Sequence, residues 1–552
     1  MNTLKKLIKD NKAISWVLGF QLFRLILLPF MGLMPQDAYY YLYGQNLSLS
    51  YFDHPGMIGY ILRIFTEVFG QSIFSIKLAD FVITSLTIIS FYKLAFYFLS
   101  KQRLHRAIVL FASTIFVSIL SFNSTPDVPL LLFWTLSLIC LYKAIFEEKK
   151  EFWILGGIAM GLAFDSKYTS LLLQIGLIAF IFFSNKYRKL LLSPWLWVSL
   201  IISVVVTFPV WYWNYQNDFA SFTFQSSERT SSITEFKISP TKFFGAIGHQ
   251  MFLLLPVLFL IFITFTYKYV KRAFLKFKIP QAKTLFLLAF FIPTFVGFFC
   301  LTPIYWVKLN WMMPSYITGI ILAGMFINKK LLKTQIIFSV VFHILVSLQI
   351  LFYLVPIKSD DTWVGWKELA LETEKLQEKY PNTFVFSDDN YKTSACLNFF
   401  MDEKVYAQNI IGLHALHFDY LGDDLSTLNS KNGLFIDSDK RFKNKDLKGS
   451  HHPLLINYFD NVTELEPIII KVNGQESRKF WVFYCTNYQL KKIRLKLDYI
   501  EDYNMLSLIR RNLGNYISRE RINKFLKKNQ RIVNINYFRN SDWEKKQKKQ
   551  LS

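Results

Sequence analysis

The segment Pro35-Gln36-Asp37-Ala38-Tyr39-Tyr40-Tyr41, followed closely by Tyr51-Phe52-Asp53-His54-Pro55, decides how this chain is read. It is a short loop between apolar stretches, and it sets carboxylates and an imidazole among aromatic rings. Such groups are costly to keep at a membrane edge, so their presence points to chemistry at the bilayer surface. Outward from this loop, about eleven apolar stretches fill the first 355 residues. A helix crosses the hydrocarbon layer with about 20 apolar residues. Lipid requires every backbone polar group to pair internally, so repeated stretches of this kind predict a helical bundle. The 552 residues are 52% hydrophobic and include 56 phenylalanines, and the mean hydropathy of +0.27 excludes an ordinary soluble domain.

The predicted helices fall at about 14–34, 73–99, 106–122, 128–146, 152–165, 168–184, 194–213, 243–267, 284–301, 312–328 and 333–355. Basic clusters follow the even-numbered ones: Lys101 to Arg106, Lys186 to Lys189, Lys268 to Lys278, and Lys329 to Lys333. The excess of Lys and Arg in cytoplasmic loops puts that side inside. The alternate loops and everything after 356 then face outward. Lys5, Lys6, Lys9 and Lys12 precede an apolar run with no small-residue cleavage site after it, which reads as an uncleaved first helix. The net charge of +24 fits this inside bias plus a basic end, and it also suits anionic head groups or phosphorylated substrates. No nucleic-acid-binding fold accompanies the charge, so nucleic acid is not expected.

The outward loops and helix ends gather Asp37, Asp53, His54, Asp127, Asp165, Lys167, Glu228, Arg229, Lys308 and Asn310. Asp37 suits either an N-cap or, among apolar neighbours that raise its basicity, a general base. Asp127 reads as an N-cap or as a second acid that orients the acceptor. Lys167 is a snorkelling lysine or a phosphate clamp. Arg229 and Lys308 fit the same clamp, the arginine through a two-pronged contact. His249 and His343 read as core histidines, and no Cys or His spacing suggests a metal site.

After residue 356 the pattern changes. An amphipathic helix over 363–380 precedes strand candidates at 383–386, 404–408, 433–436, 468–472 and 479–484, with a helix near 391–400. The expected organisation is a membrane domain over 1–355, a small α/β domain over 356–490, and a basic extension over 491–552. Cys140 and Cys300 fall in predicted membrane helices. Cys396 and Cys485 fall in the small domain, where an oxidising compartment would let them pair.

Asp37-Ala38-Tyr39-Tyr40 with Tyr51-Phe52-Asp53-His54-Pro55 resembles the first outer loop of bacterial glycosyltransferases related to protein O-mannosyltransferases and to the lipid A aminoarabinose transferase. Further stretches agree in order. They are Thr125-Pro126-Asp127-Val128-Pro129-Leu130, Gly161-Leu162-Ala163 with Ser166-Lys167-Tyr168-Thr169, and Pro209-Val210-Trp211-Tyr212-Trp213-Asn214 with Gln225. Lys308-Leu309-Asn310-Trp311 and Gly365-Trp366-Lys367-Glu368-Leu369 complete the series. The family's loop usually begins Asp-Glu, whereas here Ala38 follows Asp37. The aminoarabinose transferases carry Glu-Lys-Pro where this chain has Asp53-His54-Pro55.

The resemblance implies a polytopic GT-C fold with interfacial helices in the first outer loop and a periplasmic α/β domain. It implies a sugar donor on polyprenyl phosphate and an inverting transfer at the periplasmic face of the inner membrane, with lipid A or lipopolysaccharide core as acceptor. Asp37 and Asp127 would be catalytic. His54, Lys167, Arg229 and Lys308 would face the donor phosphate. Tyr39, Tyr40, Asp53, Tyr168 and Asn310 would line the pocket, with tyrosines of the interfacial helix also facing lipid. The resemblance names no certain cofactor and leaves open a divalent metal touching Asp53. The nearest rival is protein O-glycosylation with the same donor. A rival of another class is a non-catalytic transporter of lipid-linked sugars, which would show paired halves and broken midplane helices.

Overall fold

The computed structural model describes residues 12–228, 238–276, 278–439, 442 and 453–490. Arg229 and the basic extension 491–552 lie outside the described residues. The chain begins with α1 (Lys12–Leu27), α2 (Pro35–Gln45), α3 (Met57–Phe69), α4 (Ile73–Phe96), α5 (Lys101–Ala112) and α6 (Ile115–Phe122). It continues with α7 (Asp127–Phe146), α8 (Glu151–Ser166), α9 (Leu171–Phe183), α10 (Pro194–Val206) and α11 (Phe208–Gln216). α12 (Pro240–Leu254), α13 (Pro256–Lys276), α14 (Ala282–Leu301), α15 (Met313–Phe326) and α16 (Lys329–Phe352) complete the bundle. Among the described residues, five helices are long and apolar enough to cross a membrane, or eight if each bent pair is one span. These elements, with the shorter α8, α9 and α15, coincide with the apolar stretches of the sequence. The protein is a multi-pass membrane protein.

Local chemistry sets the breaks. α5 and α6 meet at 51°, where the hydroxyls of Ser113 and Thr114 bond back to Leu110 and Phe111 carbonyls at 3.1 and 2.7 Å. The expected span over 243–267 is not one helix: α12 and α13 meet at 115°. Pro256 supplies no N–H and bars helical backbone at the residue before it, and Leu255 adopts φ 65°. The orphaned groups find one side chain. Gln335 accepts from the Leu258 N–H at 3.1 Å and donates to the Leu254 carbonyl at 2.7 Å. Elsewhere small residues allow close packing: a Cβ on Gly157 would stand 2.5 Å from the Ser199 carbonyl oxygen, and one on Gly161 2.5 Å from Val206 Cβ. The glycines four apart on α8 thus let α10 lie against it.

The C-terminal region holds α17 (Trp366–Lys379), β1 (Thr383–Phe386), α18 (Lys392–Phe400), β2 (Val405–Tyr406), β3 (Asn432–Ser438), β4 (Asn461–Glu464), β5 (Ile468–Val472) and β6 (Gln475–Thr486). The sheet runs β2-β1-β3-β6-β4, with β5 also on β6. β1 pairs parallel to β2 and β3, and β6 is antiparallel to its neighbours. Asn473 (φ 50°) and Gly474 (φ 77°) make the tight β5–β6 turn. The Asn473 amide donates to the Phe352 carbonyl at 2.7 Å, which ties this hairpin to the end of α16.

This region packs on α2. Tyr391 lies against Tyr39 with ring centroids 4.3 Å apart, and Phe399 meets Tyr41 at 5.1 Å. The α2 tyrosines, expected to face lipid, are therefore buried under the sheet region, from 0% exposed at Tyr43 to 7% at Tyr40. Ring stacking and the hydroxyl bonds described below outweigh interfacial anchoring. Cys396 and Cys485 are both buried and unbridged. They sit in separate apolar clusters, so the pairing considered from sequence does not form.

Candidate active site

Three buried carboxylates, Asp127, Asp37 and Asp53, are each held by side-chain or backbone donors. Asp127 opens α7, where the positive end of the helix favours an acid. Lys167, the residue that closes α8, donates to both Asp127 oxygens at 2.8 and 2.9 Å. Asn310 adds a 2.6 Å bond from the loop before α15. Asp127 is 1% and Lys167 3% exposed. Three candidates named from sequence, far apart in the chain, thus meet in one cluster.

Asp37 occupies the third position of α2, and its carboxylate accepts from the Met34 N–H at 2.7 Å. It also accepts from the Ser124 N–H at 2.8 Å, and it pairs with Lys77 on α4. Lys77 donates to the Phe122 carbonyl at 2.5 Å as well. Asp80, one turn along α4, accepts from the Ser124 hydroxyl at 2.7 Å. Ser124 stands three residues before Asp127, so the linker 123–126 joins the Asp37 and Asp127 clusters. Sequence reading passed over Lys77 and Asp80. Their signal was present: two charged residues three apart in an apolar helix are costly, and buried pairing is what makes them tolerable.

Asp53 accepts from the Tyr39 hydroxyl at 2.9 Å and from the Tyr43 hydroxyl. Burial, with the Asp53 charge second, raises both phenols well above their ordinary range, so both remain donors. Gln225 fixes the Asp53 carbonyl at 2.5 Å. Tyr168 shares a 2.6 Å hydrogen bond with Ser221. The His54 ring stands 6.3 Å from that of Tyr40. Lys308 is exposed, two residues before Asn310. His343 is a core residue, bonded to Ser118 at 2.7 Å and to the Ser339 carbonyl at 2.7 Å.

The residues around Asp53 do not suit a divalent metal. One carboxylate oxygen already takes two tyrosine hydroxyls, and among the described residues no group of three His, Cys, Asp or Glu side chains stands together.

With the geometry established, the solved structures place the architecture. The crystal structure of ArnT from Cupriavidus metallidurans bound to undecaprenyl phosphate matches with TM-score 0.56, over 85% of this chain and 97% of that one, at 12% identity. The fold is GT-C. The apo form of the same enzyme matches this GT-C chain with TM-score 0.54, over 86% and 98% of the two chains, also at 12% identity. At that identity the likeness is one of fold. Residues 53–213 match the family model described as dolichyl-phosphate-mannose-protein mannosyltransferase, a segment that carries Asp53, His54, Lys77, Asp127 and Lys167. The lipid A galacturonosyltransferase RgtD of Rhizobium johnstonii is 26% identical over 205 residues, 37% of this GT-C chain. The chain spans 43% of that relative's length.

Proposed function

We propose that the protein is an inverting glycosyltransferase that moves one sugar from a polyprenyl-phosphate donor to lipid A or lipopolysaccharide core. The observation that carries this reading is the buried Asp127–Lys167–Asn310 cluster, assembled from three separate segments of a GT-C fold. Two similar proteins support the substrates: the ArnT structure is bound to undecaprenyl phosphate, and RgtD is a lipid A galacturonosyltransferase. Basic clusters at 101–106, 186–189, 268–278 and 329–333, at helix ends and in one connection, support a cytoplasmic side opposite the site, and hence a reaction at the periplasmic face of the inner membrane.

The chemistry is one substitution at the anomeric carbon. The bond from that carbon to the phosphate oxygen breaks, the bond to the acceptor oxygen forms, and polyprenyl phosphate leaves with the electron pair. Lys167 meets the charge that develops on the leaving phosphate, with Asp127 and Asn310 fixing its position. Lys308 would add positive charge to the phosphate site, and His54 and Arg229 are further candidates to bind the phosphate. Asp37, assisted by Asp127, takes the proton of an acceptor hydroxyl. Tyr40 and Tyr168 line the pocket beside Asp53. A phosphate acceptor would need only positioning.

The test uses the full chain in proteoliposomes with lipid A and undecaprenyl-phosphate-linked galacturonic acid, aminoarabinose or mannose, read by mass spectrometry. One of these donors should add a single sugar to lipid A, and Lys167→Gln should reduce the rate by about a hundredfold or more. No transfer from any donor, or full activity in the Lys167 variant, would overturn the reading. The family match at 53–213 favours a second reading, in which a protein hydroxyl is the acceptor, and a peptide acceptor in the same assay decides between them.

A further inference from the structure

A segment nearly 380 residues downstream reaches the Asp53 cluster. The backbone N–H of His417 donates to the Tyr39 hydroxyl oxygen at 3.1 Å. That hydroxyl in turn donates to Asp53 at 2.9 Å. A phenolic oxygen that accepts one bond directs its own proton elsewhere, so the amide determines that the Tyr39 proton points at the carboxylate. Tyr43 gives Asp53 a second hydroxyl.

The donor amide is itself held in place. Leu416, the residue before it, sits at φ 53°, a conformation that a leucine keeps only where its surroundings enforce it. Asp419 accepts from the Ala415 N–H at 3.0 Å. Gln408 donates to the His414 carbonyl at 2.5 Å. The His417 ring packs at a steep angle against both Tyr43 and Tyr51, at centroid distances of 4.8 and 4.7 Å. Tyr43 and Tyr51 are stacked at 3.9 Å.

We propose that the C-terminal region is part of the reaction centre: the His417 amide orients Tyr39, and Tyr39 with Tyr43 aims the Asp53 carboxylate at the bound substrates. Tyr39 and Tyr43 are then positioning residues that act through Asp53, and the 414–420 segment sets their geometry. The inference rests on the transferase reading for its kinetic arm and on structure alone for its exchange arm.

The kinetic arm is a double-mutant cycle in the full chain, with whichever of the three undecaprenyl-phosphate sugars the wild type uses. Tyr39→Phe should lower kcat by about tenfold, the scale of one lost bond to a charged group, with KM for the donor unchanged. The same change in an Asp53→Ala background should have no further effect, because its target is gone. Multiplied losses in the double variant, or an unaltered kcat in Tyr39→Phe, would overturn the proposal. The exchange arm needs no substrate. Deuterium uptake at the 414–420 amides should quicken in Tyr39→Phe and stay unchanged in Tyr60→Phe, whose hydroxyl bonds the Ser48 carbonyl instead. Equal uptake in wild type and Tyr39→Phe would refute the relay. A wild type that transfers no sugar while the exchange result holds would refute the transferase reading and leave the relay standing.

Discussion

Removing Lys77 should unbalance the bundle more than any other single change near the site. Lys77 and Asp37 are both 0% exposed, and each is the other's ionic partner. Taking one member out of a buried pair costs about 3–5 kcal/mol, because a charge is left in a poorly solvating interior. Lys77→Met also takes the donor from the Phe122 carbonyl, adding about 1 kcal/mol. The Met34 and Ser124 amides still reach Asp37 and offset part of the loss. A net cost of roughly 3–5 kcal/mol should lower the apparent thermal midpoint in detergent by about 3–4 °C for a chain of 552 residues. Asp37→Asn combined with Lys77→Met removes both charges and should recover at least half of that drop. Near-ultraviolet circular dichroism during heating measures both variants. A Lys77→Met midpoint within about 1 °C of wild type, or a double variant no better than the single one, would refute the ion-pair reasoning. If Asp37 also takes the acceptor's proton, the double variant regains stability without regaining transfer.

Gln335→Leu leaves the Leu258 N–H and the Leu254 carbonyl without their side-chain bonds and should cost about 2–4 kcal/mol; a midpoint unchanged on heating would show that the α12–α13 break is supported by something else. Burial raises the pKa of Asp389, against the lowering effect of its bonds from Thr393. The native state then holds this proton to higher pH than the unfolded chain, so the stability it contributes is fullest below about pH 4 and declines as pH rises through the raised value. The wild-type advantage over Asp389→Asn in melting runs should therefore shrink from pH 4 to pH 7, and a growing advantage would contradict the assignment. Cys396 and Cys485 should react with maleimide only after denaturation, with no disulfide-linked mobility change on a non-reducing gel; reaction of either thiol in the native protein would show that its cluster is open.

The parts of the fold that repeat a local signal were legible in the sequence. Apolar run length located the bundle, and alternating β-branched and aromatic residues located β1, β3, β5 and β6. The 115° turn was harder, because 243–267 is mostly apolar on both sides of the break and only Pro256 marked it. Asp127, Lys167 and Asn310 were each named from sequence, but their meeting depends on how three helices end, which no local pattern encodes. The orientation of the α2 tyrosines was misread for a similar reason. Their spacing suits a lipid-facing helix, and only the distant Tyr391, Phe399 and His417 turn that face inward. Lys77 and Asp80 were readable, as charges inside a membrane-spanning stretch.

The cover on α2 has a consequence for how the protein is made. Synthesis runs from the N-terminus, so the Asp37–Asp53 loop emerges hundreds of residues before Tyr391, Phe399 and His417 exist. The rings of Tyr39, Tyr41 and Tyr43 lack these partners until synthesis has passed residue 417. A nascent chain stopped anywhere between residues 356 and 417 would hold every membrane helix among the described residues and an uncovered first loop. Lesions in the 410s should therefore resemble damage to the first loop, although Tyr39 and His417 stand 378 residues apart in the chain.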